Sequence, residues 1–163
     1  MSKIFITGIV ASGKTTLARE LSRRTGTPWH ELDTIVYDHT GETRYKRTPE
    51  EQQHVIADID AAGDWIVEGT CRKSCRCLLD MAQRIVFLDT PLYKRRIRIF
   101  TRFIKQRLGI ERCLYHADLH MLRMMYKWTA DFERDRVSFT AMLGEYGEKV
   151  VVVRKAEEAL DLL

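Results

Sequence analysis

Residues Gly8 to Thr16 read GIVASGKTT, directly after the short apolar run Lys3–Thr7, KIFIT. The stretch satisfies G-x-x-x-x-G-K-S/T at every fixed position, through Gly8, Gly13, Lys14 and Thr15. The spacing has a physical cause. Glycines at both ends let the backbone turn where a Cβ would obstruct it, so that successive N–H groups point inward at phosphate oxygens. A helix beginning near Lys14 adds the positive end of its dipole. Lys14 is placed to reach the β- and γ-phosphates of a nucleotide, and the Thr15 hydroxyl to bind Mg2+. The expected phosphate-binding set is Gly8, Ala11, Ser12, Gly13, Lys14, Thr15 and Thr16. A strand before the motif and a helix after it are the setting in which the motif carries meaning.

Working outward, Lys14–Thr25 reads as a helix with Leu17, Ala18 and Leu21 on one face. Trp29–Leu32 reads as a short strand ending at Asp33, and His39–Arg47 as a loop. Thr48-Pro-Glu-Glu-Gln supplies an N-cap, a proline at the first helical position and acids in the first turn of a helix running to about Ala62. Trp65–Val67 is the next strand, followed by Glu68-Gly69; Ser74–Gln83 is expected to be helical. Arg84–Leu88 is a fourth strand ending at Asp89, and Pro91 opens a long basic helix. After a break around Gly109, helical periodicity runs over Leu119–Tyr146. Lys149–Val153 is a fifth strand and Ala156–Leu163 a closing helix. Strands alternating with helices indicate an α/β fold around a mostly parallel sheet, whose ligand belongs at the carboxyl ends of the strands. Thr7/Gly8, Asp33, Glu68 and Asp89 all fall at such ends.

Composition narrows the class. The 163 residues are 45% hydrophobic and 31% charged, ordinary for one soluble globular domain. No apolar run approaches the roughly 20 residues needed to span a bilayer, and the N-terminus lacks a signal peptide's apolar core. A cytoplasmic address and no membrane partner are expected. The net charge of +4 is unevenly spread, with eight basic residues against one acid, Glu111, between Lys94 and Arg112. Such a patch suits phosphates, on a small molecule or on nucleic acid. Cys71, Cys75 and Cys77 form C-x3-C-x-C, not a standard zinc spacing; Cys113 or a histidine could supply a fourth metal ligand, but reduced packing thiols are the expectation.

A GTPase of the small type needs N-K-x-D for guanine, which is missing; a motor or ring ATPase needs more chain. A small kinase fits. The order GIVASGKTT, Leu32-Asp33, WIVEG (65–69), FLDTP (87–91), an arginine-rich helix, KWTADF (127–132) and a terminal valine strand resembles the bacterial P-loop proteins labelled topology modulation protein or adenylate-kinase-related, a branch of the nucleoside monophosphate kinase-like superfamily. The resemblance spans nearly the whole chain. It implies a three-layer fold with a five-stranded parallel sheet in the order 2-3-1-4-5, ATP with Mg2+, and phosphotransfer to a small acceptor, a nucleotide or nucleoside foremost, with a sugar or a shikimate-like acid still open. Two positions depart from the family: Glu68 stands where Asp is frequent, and Thr70-Cys71 replaces Asn-Tyr.

Candidate acids follow from the strand ends. Asp33 and Glu68 can hold Mg2+ through water or orient an acceptor hydroxyl, although each also admits a capping or ion-pair reading. Asp89 ranks behind them, since capping the helix at Pro91 explains it equally well. On the basic helix, at about 100° per residue, Lys94, Arg95, Arg98, Arg102 and Lys105 share one arc and Ile97, Ile99, Phe100, Phe103, Ile104 and Leu108 the opposite one. The apolar arc is expected to dock on the domain. The resemblance makes Arg98 and Arg102 the pair that stabilises the transferring phosphoryl group. Segment 108–118 is then the expected lid, and Arg72 and Arg76 are candidates for an acceptor's phosphate, which a solvated helix start explains equally well. The competing reading is an ATP-dependent nucleic-acid binder using the same cations, which solvation alone would also explain.

Overall fold

The computed structural model describes residues 3–38, 40, 44–110 and 118–162. Five parallel strands form the central sheet: β1 (Lys3–Thr7), β2 (Trp29–Glu31), β5 (Trp65–Gly69), β6 (Arg84–Leu88) and β7 (Val150–Val153). Their order is β2-β5-β1-β6-β7, which in chain order of these five is 2-3-1-4-5, as expected. Pairing is parallel throughout; Thr7 at the end of β1 lies beside Gly69 on one side and Phe87 on the other. β1 and β6 are apolar on both faces because both are covered.

One face packs on α1 (Lys14–Thr25) and α7 (Ala156–Leu160), through Leu17, Ala18, Leu21 and Ala159 against Ile4, Ile6, Ile66 and Val86. The other carries α2 (Leu32–Val36), α3 (Pro49–Ala61), α4 (Cys77–Met81) and α6 (Leu119–Gly144). There Phe87 meets Phe132 and Phe139 of α6 at ring-centroid distances of 6.2 and 5.2 Å. α3 starts as its sequence requires, with a capping box between Thr48 and Glu51. α5 (Leu92–Arg107) leads away from β6, and Asp118 caps α6 by accepting from Met121 N at 2.7 Å.

The elements differ from expectation in four places. β2 stops at Glu31, so Asp33 sits in the first turn of α2, not at a strand end. The expected loop 39–47 is flanked by a small antiparallel pair, β3 (Tyr37–Asp38) with β4 (Tyr45–Lys46). Segment 74–83 divides into a 3-10 turn (Lys73–Cys75) and the short α4. The apolar arc of α5 docks only in part: Ile99 is buried and Phe103 half-buried, while Ile97 and Leu108 are 62% and 68% exposed, with Tyr93, Phe100 and Ile104 exposed beside them. Of the cationic arc only Arg95 is buried, at 0% exposed; Lys94 is half-buried and Arg98, Arg102 and Lys105 are exposed. Of the expected lid, 111–117 (with Cys113) lies outside the described residues; His39 does too.

Candidate active site

The phosphate loop leaves β1 at Gly8 and enters α1 at Lys14. Two of its residues take left-handed backbone, Gly13 at φ 104° and Ala11 at φ 60°. The second is costly for a residue with a Cβ and has to be held by its surroundings. Gly8 is required by closeness, because a Cβ there would stand 2.8 Å from Ser12 Oγ and 2.9 Å from the Leu88 carbonyl oxygen. Ser12 N closes the turn on Ile9 O at 3.2 Å.

Lys14 and Thr15 leave the loop toward β5. Lys14 Nζ donates to Ile9 O at 3.0 Å, and Thr15 Oγ1 donates to Glu68 Oε1 at 2.7 Å. Glu68 is only 5% exposed. Burial pushes its carboxyl above the ordinary value, against the pull of the Lys14 charge and the Thr15 hydroxyl. Burial likewise lowers Lys14, with Arg102 adding to the shift while Glu68 and Asp33 oppose it. These four groups therefore sense one another across a single small region. Thr16 is exposed on α1.

Asp33 reaches this region from α2 and is paired with Arg72 at 2.5 Å. Arg72 also lies over the Tyr37 ring at 5.6 Å, and Arg44 covers the same ring at 3.6 Å. Two guanidiniums thus share the Tyr37 ring, and one of them, Arg72, is paired with Asp33. Arg98 Nη1 donates to Ser12 O at 2.9 Å and Ala11 O at 3.3 Å, on the loop's other flank. The structure thus gathers Lys14, Thr15, Glu68, Asp33, Arg72, Arg98 and Arg102 around the loop. Asp89 does not join them and does not cap α5; it forms an ion pair with Arg136 of α6. The row of α5 cations is broken at Arg95, which is buried against Glu133; Arg98, exposed like Arg102 and Lys105, reaches onto the loop.

Two residues that sequence reasoning passed over hold the loop from outside. Thr70 Oγ1 donates to Gly8 O at 3.1 Å, and Thr90 Oγ1 to Ser12 O at 2.9 Å. Each follows a strand flanking β1; Thr70 is marked besides as a departure from the family, though with no role on the loop. Cys71, Cys75 and Cys77 carry free thiols that burial pushes up, Cys71 to about 11, which disfavours metal ligation and nucleophilic use alike. Among the described residues no three His, Cys, Asp or Glu side chains could enclose a metal. The hydroxyl of Thr15 with the carboxylates of Glu68 and Asp33 is a hard-oxygen set that suits Mg2+, which keeps water and nucleotide oxygens and asks for only one or two carboxylates.

A phosphate loop between β1 and α1, under a 2-3-1-4-5 parallel sheet with acids and arginines at the carboxyl ends, defines a P-loop NTPase fold. The chain belongs to the AAA domain family, whose model matches residues 4–112. Among solved structures it is similar to shikimate kinase from Acinetobacter baumannii in complex with shikimate, at TM-score 0.59 and 16% identity over 99% of this chain and 92% of that one. It is also similar to shikimate kinase from Bacteroides thetaiotaomicron, at TM-score 0.54 and 14% identity over 98% and 94% of the two chains. A gluconokinase from Sinorhizobium meliloti 1021 matches at TM-score 0.52 and 19% identity over 93% and 81%. At these identities the likeness is one of fold. No curated protein matches the chain. No helix among the described residues is long and apolar enough to cross a membrane.

Proposed function

We propose that the protein is an ATP-dependent phosphotransferase acting in the cytoplasm on a small hydroxylated acceptor. The observation that carries this reading is the Thr15–Glu68 hydrogen bond of 2.7 Å beside Lys14, which brings the loop's metal-binding hydroxyl, its phosphate-binding ammonium and a buried carboxylate together at the strand ends. Family membership and the likeness to small-molecule kinases support phosphotransfer. Within the superfamily, the quoted motifs favour the adenylate-kinase-related branch labelled topology modulation protein.

In this reading Gly8 and the N–H groups of Ala11 to Thr16 bind the ATP phosphates. Thr15, with Glu68 and Asp33 through water, would hold Mg2+, which when bound neutralises charge between the β- and γ-phosphates. Lys14 gives up the Ile9 carbonyl, and Arg98 the Ala11 and Ser12 carbonyls, for phosphate oxygens. Together with Arg102 they balance the charge that develops on the transferring group. Asp33 or Glu68 orients the acceptor hydroxyl; positioning and neutralisation supply most of the rate.

For the acceptor we favour a small polyhydroxylated acid over the nucleotide that the motifs first suggested. Arg72 and Arg44 around Tyr37 offer more positive charge than Asp33 cancels, beside the place where the acceptor must stand. Two of the fold's relatives are named for shikimate and gluconate. The test is a phosphotransfer screen with Mg-ATP against shikimate, gluconate and related polyol acids, nucleosides and nucleoside monophosphates, with Lys14→Ala as control. A product formed from a polyol acid and lost in the variant is expected. A product from nucleoside monophosphates only would move the acceptor assignment back. ATP bound with nothing phosphorylated in any class would refute the phosphotransferase reading.

A further inference from the structure

Ala11 at φ 60° and Gly13 at φ 104° bracket Ser12, so the Ser12 carbonyl is the hinge of the turn that presents N–H groups to phosphate. A backbone this far from its preferred state persists only where neighbours fix it. Two side chains donate to that carbonyl, Arg98 and Thr90. Under the function proposed above, Arg98 leaves to meet the transferring phosphoryl group, and Thr90 is then the side-chain donor that stays.

Thr90 is itself held. It is buried, and its single hydroxyl proton goes to Ser12 O at 2.9 Å in preference to Arg154 O at 3.4 Å. Its carbonyl accepts from Arg95 Nε at 2.8 Å. Arg95 is fully enclosed, pairs with Glu133 of α6 through Nη2, and lies over the Phe132 ring at 5.8 Å. Glu133 also touches Arg136 at 3.5 Å, which in turn holds Asp89, the residue before Thr90. A cation buried so deeply has little mechanical freedom, because leaving the carboxylate would strand its charge. Neither Thr90 nor Arg95 touches the place where the nucleotide's phosphates are expected.

We propose that Thr90, locked by Arg95 and Glu133, is a positioning residue for ATP: it holds the phosphate loop in its binding-competent turn through Ser12 O, and α6 thereby acts as the loop's backing. The inference rests on the phosphate-loop reading, and its test separates the two. Mg-ATP dissociation constants are measured by calorimetry, well below the melting temperature of each variant, for wild type, Thr90→Val, Thr90→Ser, Glu133→Gln and Lys14→Ala. Thr90→Val keeps shape and burial but removes the donor. It is expected to weaken Mg-ATP about five- to tenfold, the scale of one hydrogen bond, while Thr90→Ser stays within about twofold. Glu133→Gln is expected to weaken binding about two- to fourfold by loosening Arg95. A role limited to stability would lower the melting temperature of these variants and leave the dissociation constants alone. Wild-type affinity in Thr90→Val beside a weakened Lys14→Ala would overturn the inference and leave the function standing. Wild-type affinity in Lys14→Ala as well would overturn the phosphate-loop reading and this inference with it. Should Thr90→Val not fold, Glu133→Gln decides alone, and wild-type affinity there refutes the proposal.

Discussion

Gly69→Ala adds one methyl group at the place where β5 and α2 come closest. A Cβ on Gly69 would lie 2.3 Å from Leu32 Cβ and 3.0 Å from its Cδ2. Carbon atoms in contact stand about 3.5–4.0 Å apart, so the start of α2 has to move by about 1 Å or more. Leu32 cannot swing away, because it is 1% exposed and packed among Ile35, Ile56, Trp65 and Leu78. Overpacking of this kind costs about 1–3 kcal/mol. For a chain of this size, that corresponds to a melting temperature lower by about 2–12 °C. The functional effect should be sharper, since Asp33 is the next residue along. Its carboxylate moves with Leu32 away from Lys14 and Glu68, and a displacement near 1 Å can cost about 100-fold in rate. Calorimetric melting with steady-state kinetics is the assay. The acceptor's kcat/KM should fall by one to two orders of magnitude, roughly, and Mg-ATP affinity far less, because the phosphate loop belongs to β1 and α1. An unchanged melting temperature with unchanged acceptor kinetics would refute the argument that this contact positions Asp33.

Glu68→Gln should separate stability from activity in a pH-dependent way. Burial raises the folded-state pKa of Glu68 above its unfolded value, so the fold prefers the neutral form, and wild-type stability falls as pH rises from the ordinary carboxylate range through the folded value. Glutamine mimics the neutral form throughout. The melting temperature of the variant minus that of wild type should therefore be smallest near about pH 4 and grow more positive toward about pH 7, while phosphotransfer drops about tenfold or more. A difference that stays flat, or turns negative with rising pH, would contradict the assignment. Thr48→Ala removes the hydroxyl that accepts from Glu51 N at 3.3 Å and breaks the capping box of α3. It should cost about 1 kcal/mol, or about 2–4 °C in melting temperature, and leave kcat and KM unchanged. Loss of activity at temperatures where the variant is fully folded would show that α3 has a role beyond scaffold.

The parts legible in the sequence are those governed by local chemistry. The glycine spacing of the phosphate loop, the Thr48-Pro49-Glu-Glu51 start of α3 and the valine run of β7 each specify backbone within a few residues, and each stands where it was expected. The sheet order was legible only through family resemblance, since nothing local says which strands pair. The strand-like Trp-His-Glu-Leu at 29–32 misled because Leu32 continues the apolar pattern while already belonging to α2; the close approach of Gly69 turns the chain there, and Gly69 is distant in sequence. The roles of Thr70 and Thr90 on the loop escaped notice for a similar reason. A threonine after a strand carries no motif, and its value appears only when a carbonyl from another element arrives within 3.1 Å.

The mixed docking of α5 is the sharpest case. Periodicity gives an amphipathic helix two arcs but does not say which one the domain wants. The usual assumption is that apolar side chains seek the core, and here the core's edge is not apolar: it presents the carbonyls of Ala11, Ser12 and Thr90 and the carboxylate of Glu133. A hydrocarbon face against these groups would strand acceptors out of water, at a cost of about 1–3 kcal/mol each. Arg95 and Arg98 satisfy them, so these two cations meet the domain along with the buried Ile99, and Ile97, Phe100 and Leu108 are turned outward. The same acceptors that dictate this orientation belong to the phosphate loop and its supports. The orientation of α5 thus follows from the loop's need for donors, so the functional motif at the start of the chain fixes the packing of a helix some 80 residues later.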